Sequence, residues 1–271
     1  MFKTRLLSGI VLVVLIFGIL YFGGYVTALA IFLLAIIGNY ELLKVYGLEK
    51  KGPGILTYAA TTVYYCFLVF GLREYVLPVM LLFVLLVLSL YVIRYPLYRD
   101  RDAMAAILTF FYVSVMLSYV YLIRDLKHGG AFVIMIFVCS WVNDTFAYCF
   151  GVTMGKHKMT PKLSPKKSIE GLIGGLFSST VVGALYGIFF SKNVYELDKA
   201  PLIFAIVGLA GAIMAVIGDL AASAIKRNND IKDYGRLIPG HGGVLDRFDS
   251  IIFTAPIIYY CLLFMAGNIG G

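Results

Sequence analysis

Between Ser223 and Asp249 the chain concentrates the residue types that polar chemistry needs. Lys226, Arg227, Lys232 and Arg247 are cations, Asp246 and Asp249 are carboxylates, and His241 stands among Gly240, Gly242 and Gly243. Apolar runs border this segment on both sides. Asp219 interrupts the run before it, and Asp144 interrupts an earlier one. A charge at the centre of a membrane helix costs about 2.5–3.5 kcal/mol on insertion scales. Two carboxylates 4 Å apart repel by about 4 kcal/mol at an effective dielectric of 20. If Asp144, Asp219, Asp246 and Asp249 meet, something cationic must hold them: a divalent metal, the neighbouring Lys and Arg, or protons. An all-oxygen set with no His or Cys cluster suits Mg²⁺ or a similar hard ion better than zinc.

Spacing adds a second constraint. Asp219, Ser223, Lys226 and Asp230 step by 4, 3 and 4, so they share one side of a helix, and Arg227 is four beyond Ser223. An acid, a hydroxyl and a base in one row can form a wall that faces phosphates. The same row also suits an ordinary juxtamembrane helix end, where Lys226 and Arg227 snorkel and complement the dipole. Asp246 and Asp249 open a helix, where N-capping is the plainer use of an acid. The glycines around His241 let backbone N–H groups approach an anion.

A second polar loop holds Lys156, Lys158, Lys162, Lys166 and Lys167, which could attract acidic headgroups or a polyphosphate. Within it, Ser164 followed by Pro165 reads as an N-cap with proline at the first helical position. Glu170 with Gly171, Gly174 and Gly175 suits close helix packing. Asn143 offers an oxygen beside Asp144. Trp141, the only tryptophan, suits lipid or helix packing, and Glu41 reads as a satisfied membrane polar group paired with Lys44.

The elements that must position these residues are membrane helices. Of 271 residues, 61% are hydrophobic and 14% charged, whereas soluble domains carry about 25% charged residues. Apolar runs predict an all-α, polytopic membrane protein with about nine transmembrane helices, near 6–23, 25–46, 54–72, 75–93, 104–123, 131–153, 169–190, 201–225 and 248–267. The whole of 1–271 reads as one transmembrane domain. Helices within 1–125 have no assigned role, and the catalytic half is 131–271, with loops 154–168 and 226–247. With the N-terminus in the cytoplasm, 18 of the 23 Lys and Arg fall on the cytoplasmic side, as the positive-inside bias requires. The net charge of +8 reflects that bias rather than nucleic-acid binding. The expected location is the cell membrane, multi-pass, with the active site cytoplasmic and the C-terminus outside. The basic, apolar N-terminal run is too long for a cleaved signal and reads as a retained helix. Four cysteines lie within apolar runs and show neither CxxC nor metal-like spacing.

The signature Ser223-x-x-Lys226-Arg227-x4-Lys232-Asp233, followed by Pro239-x-His241-Gly-Gly-x-x-Asp246-Arg247-x-Asp249, resembles that of the phosphatidate cytidylyltransferases, also called CDP-diacylglycerol synthases. Asn143-Asp144-x-x-Ala147-Tyr148-x-x-Gly151 and Leu163-Ser164-Pro165-Lys166-Lys167-Ser168-x-Glu170-Gly171 are similar to two further blocks of that family. The resemblance covers the C-terminal half; the first five spans match only in being hydrophobic.

The resemblance implies an enzyme that joins CTP and phosphatidic acid into CDP-diacylglycerol and pyrophosphate in the membrane, with Mg²⁺ required. It implies Asp219 and Asp246 as the main metal ligands, with Asp144 and Asp249 supporting them or binding a second cation. Lys226, Arg227 and Lys232 would neutralise triphosphate or lipid phosphate, with Ser223 beside them on the substrate face. Gly242 and Gly243 would offer N–H groups, and His241 would contact phosphate or protonate pyrophosphate. Lys166 and Lys167 would form an electrostatic funnel. Membrane lipid is the surrounding partner, nucleic acid is not one, and a homodimer is compatible. The alternatives are a CTP-dependent polyprenol or dolichol kinase-like enzyme, and a cation-coupled transporter, which intramembrane acids also suit. The Asp-Gly-x2-Ala-Arg pattern of CDP-alcohol phosphotransferases is absent.

Overall fold

The computed structural model describes residues 2–191, 199–238, 240 and 242–265. Its α-helices are α1 (Phe2–Phe22), α2 (Gly24–Val45), α3 (Gly52–Val69), α4 (Val76–Ile93), α5 (Asp100–Thr109), α6 (Met116–Asp125), α7 (Gly129–Phe132), α8 (Ile134–Phe137), α9 (Asn143–Met154), α10 (Ile169–Ser191), α11 (Ala200–Asn228) and α12 (Leu245–Met265). π-helical turns at Phe110–Val115 and Val138–Val142 join α5 to α6 and α8 to α9. Such turns recur at functional sites, and the second ends directly before Asn143 and Asp144.

The protein is an all-α polytopic membrane protein. Among the described residues, seven helical segments are long and apolar enough to cross a bilayer: Gly24–Val45, Arg73–Ile93, Asp100–Asp125, Gly129–Met154, Ile169–Phe190, Ala200–Asn228 and Leu245–Met265. The expected spans 6–23 and 54–72 are also helical, as α1 and α3; α3 does not reach that measure. α3 carries Thr57, Thr61, Thr62, Tyr58, Tyr64 and Tyr65, and of these Thr57, Thr61, Tyr64 and Tyr65 are buried.

The chain divides into two compact units. The first comprises Met1–Tyr121 with Asp233–Arg247; the second comprises Leu122–Lys232 with Phe248–Gly271. In the first unit, Asn39 of α2 donates to Thr61 of α3 and to Ser114 of the π-helical turn, each at 2.9 Å. Thr61 and Ser114 share a hydrogen bond of 2.7 Å, and the Tyr65 hydroxyl donates to the Ser114 carbonyl at 3.0 Å. All four side chains are buried. In lipid, where apolar contact alone gives little preference for helix over acyl chain, such bonds specify which helices pair.

The second unit relies on small residues. A Cβ at Gly171 or Gly175 of α10 would collide with the α9 backbone at Ala147 and Asn143. A Cβ at Gly208 of α11 would lie 2.6 Å from the Ser179 carbonyl of α10, and one at Gly218 2.6 Å from the Asp249 carbonyl of α12. The glycines expected to serve close packing therefore do so.

A two-stranded antiparallel hairpin sits between α9 and α10. It pairs β1 (Lys158–Thr160) with β2 (Ser164–Ser168), with Lys158 opposite Ser168 and Thr160 opposite Ser164. This corrects the reading of Ser164-Pro165 as a helix start. Ser164 begins a strand, and the capping hydroxyl is Ser168, whose Oγ accepts the Gly171 N–H at 3.1 Å. That is the N-cap to N3 bond expected one residue before α10.

Candidate active site

Asp219 stands near the C-terminal end of α11, directly after Gly218. Because Gly218 lacks a side chain, α11 packs against the α12 backbone at Asp249. Asp144 opens α9, with Asn143 Nδ2 directed at its Oδ1 at 3.5 Å. The three carboxylates are near enough to act on one another. The Asp219 charge opposes those of Asp144 and Asp249, and Asp144 also acts on Asp249. Two lysines offset this. The Lys167 ammonium forms an ion pair with the Asp219 carboxylate and also acts on Asp144. Lys226, two turns beyond Asp219 on α11, acts on Asp249.

The environments differ. Asp249 is buried, and its Oδ1 accepts the Ser250 N–H at 2.7 Å. Asp219 and Lys167 keep about three-tenths of their side-chain surface exposed, at 29% and 28%, so water and a polar ligand can reach them. Asp144 is exposed, and Asn143 beside it is fully buried with no partner for its Oδ1.

The hairpin explains how Lys167 arrives. Strand alternation sends Lys166 and Lys167 to opposite faces; Lys166 is exposed and Lys167 is half-buried. Glu170, in the first turn of α10, accepts the His157 N–H through both oxygens at 3.2 Å, and its Oε1 lies 2.6 Å from His157 Nδ1. Glu170 thus ties the start of β1 to the start of α10. This role is distinct from the helix packing expected of it.

Asp219, Ser223 and Lys226 share a face of α11, as the spacing requires. Asp230 does not extend the row: α11 ends at Asn228, and Asp230 adopts a positive φ of 52°. Arg227 and Lys232 are exposed. His241 and Pro239 lie outside the described residues.

Asp246 belongs to the first unit. Its Oδ2 accepts the N–H groups of Tyr234 at 2.8 Å and Gly243 at 3.0 Å. Gly242, at φ 92°, is in a conformation that a side chain would strain, and a Cβ there would lie 2.9 Å from that same oxygen. Ile238 and Gly242 pair across the loop. One residue that sequence reasoning assigned elsewhere is central here. Glu41 of α2 does not use Lys44: its Oε1 accepts the Val244 N–H at 3.0 Å and its Oε2 the Leu245 N–H at 2.9 Å. Lys44 lies over the Tyr40 ring at 5.9 Å. The available signal was a lone acid in an apolar run, which names no partner.

Among the described residues, no three or more His, Cys, Asp or Glu side chains form a group able to hold a metal ion. The arrangement is not a preformed cage. It still fits a magnesium-type ion, which typically takes one or two carboxylates and completes its shell with water and substrate phosphate. Asp219 is reachable and already carries a cation, and the unpartnered Asn143 Oδ1 is an oxygen of the right type.

Fold and site together define an integral membrane protein that gathers acids and lysines where helices meet at small residues. The chain belongs to the cytidylyltransferase family, whose model matches residues 3–265. It is 35% identical to a phosphatidate cytidylyltransferase of Staphylococcus aureus (strain COL), over 96% of this chain and 99% of that protein. Proteins of the same name from Staphylococcus haemolyticus and Staphylococcus saprophyticus are 34% and 32% identical, over 97% and 96% of this chain and 100% and 99% of theirs.

Proposed function

We propose that this protein transfers the cytidylyl group of CTP to phosphatidic acid, giving CDP-diacylglycerol and pyrophosphate, and that it requires Mg²⁺. The observation that carries the reading is the cluster of Asp144, Asp219, Asp249, Lys167 and Lys226 within a membrane bundle of this family. Family and relatives favour this reaction over a polyprenol kinase or a transporter. The N-terminus and the site face the cytoplasm, where CTP is available; the excess of Lys and Arg in the connecting loops supports that orientation.

A phosphate oxygen of the lipid attacks the α-phosphorus of CTP. The new P–O bond forms as the bond to the bridging oxygen of pyrophosphate breaks, and pyrophosphate leaves with that electron pair. The attacking phosphate is already anionic at neutral pH, so the protein need supply no strong base. Its task is positioning and charge stabilisation. A divalent cation, when bound, neutralises phosphate oxygens and orients attacking and leaving groups. Asp219 would hold it, with Asp144 or Asp249 as the second carboxylate; the ligand role of Asp246 is proposed from its place in the signature alone. Lys167, paired with Asp219 in this structure, would turn to the triphosphate, and Lys226, Arg227 and Lys232 would neutralise the remaining phosphate charge. Ser223 donates to a phosphate oxygen.

The test is detergent-purified protein with labelled CTP. Label should enter the lipid phase with phosphatidate and Mg²⁺, not with a polyprenol and not in EDTA. Lipid-phase label appearing with polyprenol instead, or undiminished in EDTA, overturns the corresponding part.

A further inference from the structure

We propose that Glu41, in the half of the chain to which the signature assigns nothing, is a positioning residue for the signature segment 233–247. The inference rests on the cytidylyltransferase reading and adds to it. The first N–H groups of any helix lack intrahelical acceptors. At the start of α12, Val244 and Leu245 give theirs to the two oxygens of Glu41, at 3.0 and 2.9 Å. This is an N-cap delivered from another helix, and a carboxylate there also meets the positive end of the α12 dipole.

Two glycines, Gly235 and Gly243, have been shaped around the same group. A Cβ on either would run into the Glu41 carboxylate, and the Cβ of Gly235 would lie 3.3 Å from the Gly243 Cα. Two passes of the chain thus cross over one buried acid that is 4% exposed. Asp246 binds the Tyr234 and Gly243 N–H groups from the other side. Four backbone donors of residues 234–245 are therefore divided between Glu41 and Asp246, and the electrostatic repulsion between these acids is tolerated. Glu41 fixes the first turn of α12. Through it, Glu41 fixes where Asp246 points and how Gly242 and Gly243 are presented.

The experiment compares wild type, Glu41→Gln and Gly235→Ala as full-length protein in detergent. Gln keeps one acceptor but sets an NH₂ against the second N–H. Gly235→Ala leaves Glu41 intact and displaces it. Hydrogen exchange in peptides covering 234–247 should accelerate by roughly tenfold or more in both variants, with peptides from α9–α10 unchanged. In the lipid-label assay, kcat should fall by roughly tenfold or more, with KM for phosphatidate within about twofold. Unchanged exchange in 234–247 overturns the proposal whatever the activity. So does accelerated exchange with unchanged kcat, which would make Glu41 structural only. A wild type that exchanges as expected but turns over no CTP would instead overturn the proposed function.

Discussion

Replacing Gly218 by alanine tests whether the α11–α12 contact sets the geometry of the carboxylates. A built Cβ lies 2.6 Å from the Asp249 carbonyl oxygen and 3.1 Å from Phe253 Cβ, against an ordinary contact of 3.4 Å or more. The helices must therefore part by about 0.8 Å at this level, the difference between 2.6 and 3.4 Å. Overpacking of this kind costs about 1–3 kcal/mol, and alanine's helix preference returns about 0.5–1 kcal/mol, so the net loss of stability is modest. Catalysis is more sensitive, because a misplacement near 1 Å can cost about a hundredfold. The folded variant should lose roughly tenfold to a hundredfold in kcat. Gly208→Ala is the control. Its Cβ also lies 2.6 Å from a carbonyl, that of Ser179, but about 15 Å along α11 from Gly218. The assay is initial rates with labelled CTP on the monodisperse fraction, beside thermal melts of both variants. If Gly218→Ala keeps kcat within twofold, or if Gly208→Ala loses as much activity per folded molecule, the reasoning fails.

Three further outcomes follow from the same geometry. Asp219→Asn should lower activity by about a hundredfold or more yet leave stability within about 1 kcal/mol, because the partly exposed pair with Lys167 contributes little; melting curves and rates on one preparation check both halves. Lys167→Met removes the cation that competes at Asp219, so half-saturating Mg²⁺ should fall while KM for CTP rises; titrations of each that move in the same direction would contradict the exchange of Lys167 between acid and triphosphate. Glu170→Gln removes the carboxylate that ties His157 to α10, and limited proteolysis should then cut within 156–168 several times faster, with a smaller loss of kcat than Lys167→Met.

Much of the site was legible because its residues break an apolar background. Asp144, Asp219 and Asp249 are costly in lipid, which makes them visible, and their association in the second unit follows from that cost: each needs a counter-charge, and Lys167 and Lys226 supply it. Helical spacing placed Asp219, Ser223 and Lys226 on one face. It failed at Asp230 because nothing in the spacing says where a helix stops. Ser164-Pro165 misled for a related reason. The pair is a good helix start in isolation, but the strand pairing of Thr160 with Ser164 decides the matter, and such pairing between segments has no local mark. Glu41 was the largest omission. An acid's neighbour at i+3 is the partner a helix offers, whereas the true partners are some two hundred residues away in the chain. Their N–H groups carry no side-chain identity, so no residue type could announce them.

The glycines carry a deeper constraint than the acids. The acids are held by side-chain charges: Lys167 meets Asp219 as a half-buried lysine on a hairpin, not as part of a helix crossing. The closeness of α9, α10, α11 and α12 has another basis. In lipid, helices gain little by burying apolar surface against one another, so contact depends on van der Waals fit and backbone approach. At Gly171, Gly175, Gly208 and Gly218 the adjoining helix backbone fills the space a Cβ would need. Two of these positions immediately flank the chemistry: Gly218 precedes Asp219, and Gly175 faces Asn143. The buried, unpartnered oxygen of Asn143 lies against Gly175, where a Cβ would come within 2.6 Å of it. Closeness at these points thus does two things. It brings carboxylates from separate helices into one another's field, and it seats a buried, unpartnered oxygen beside one of them. A methyl group at Gly218 or Gly175 would disturb both.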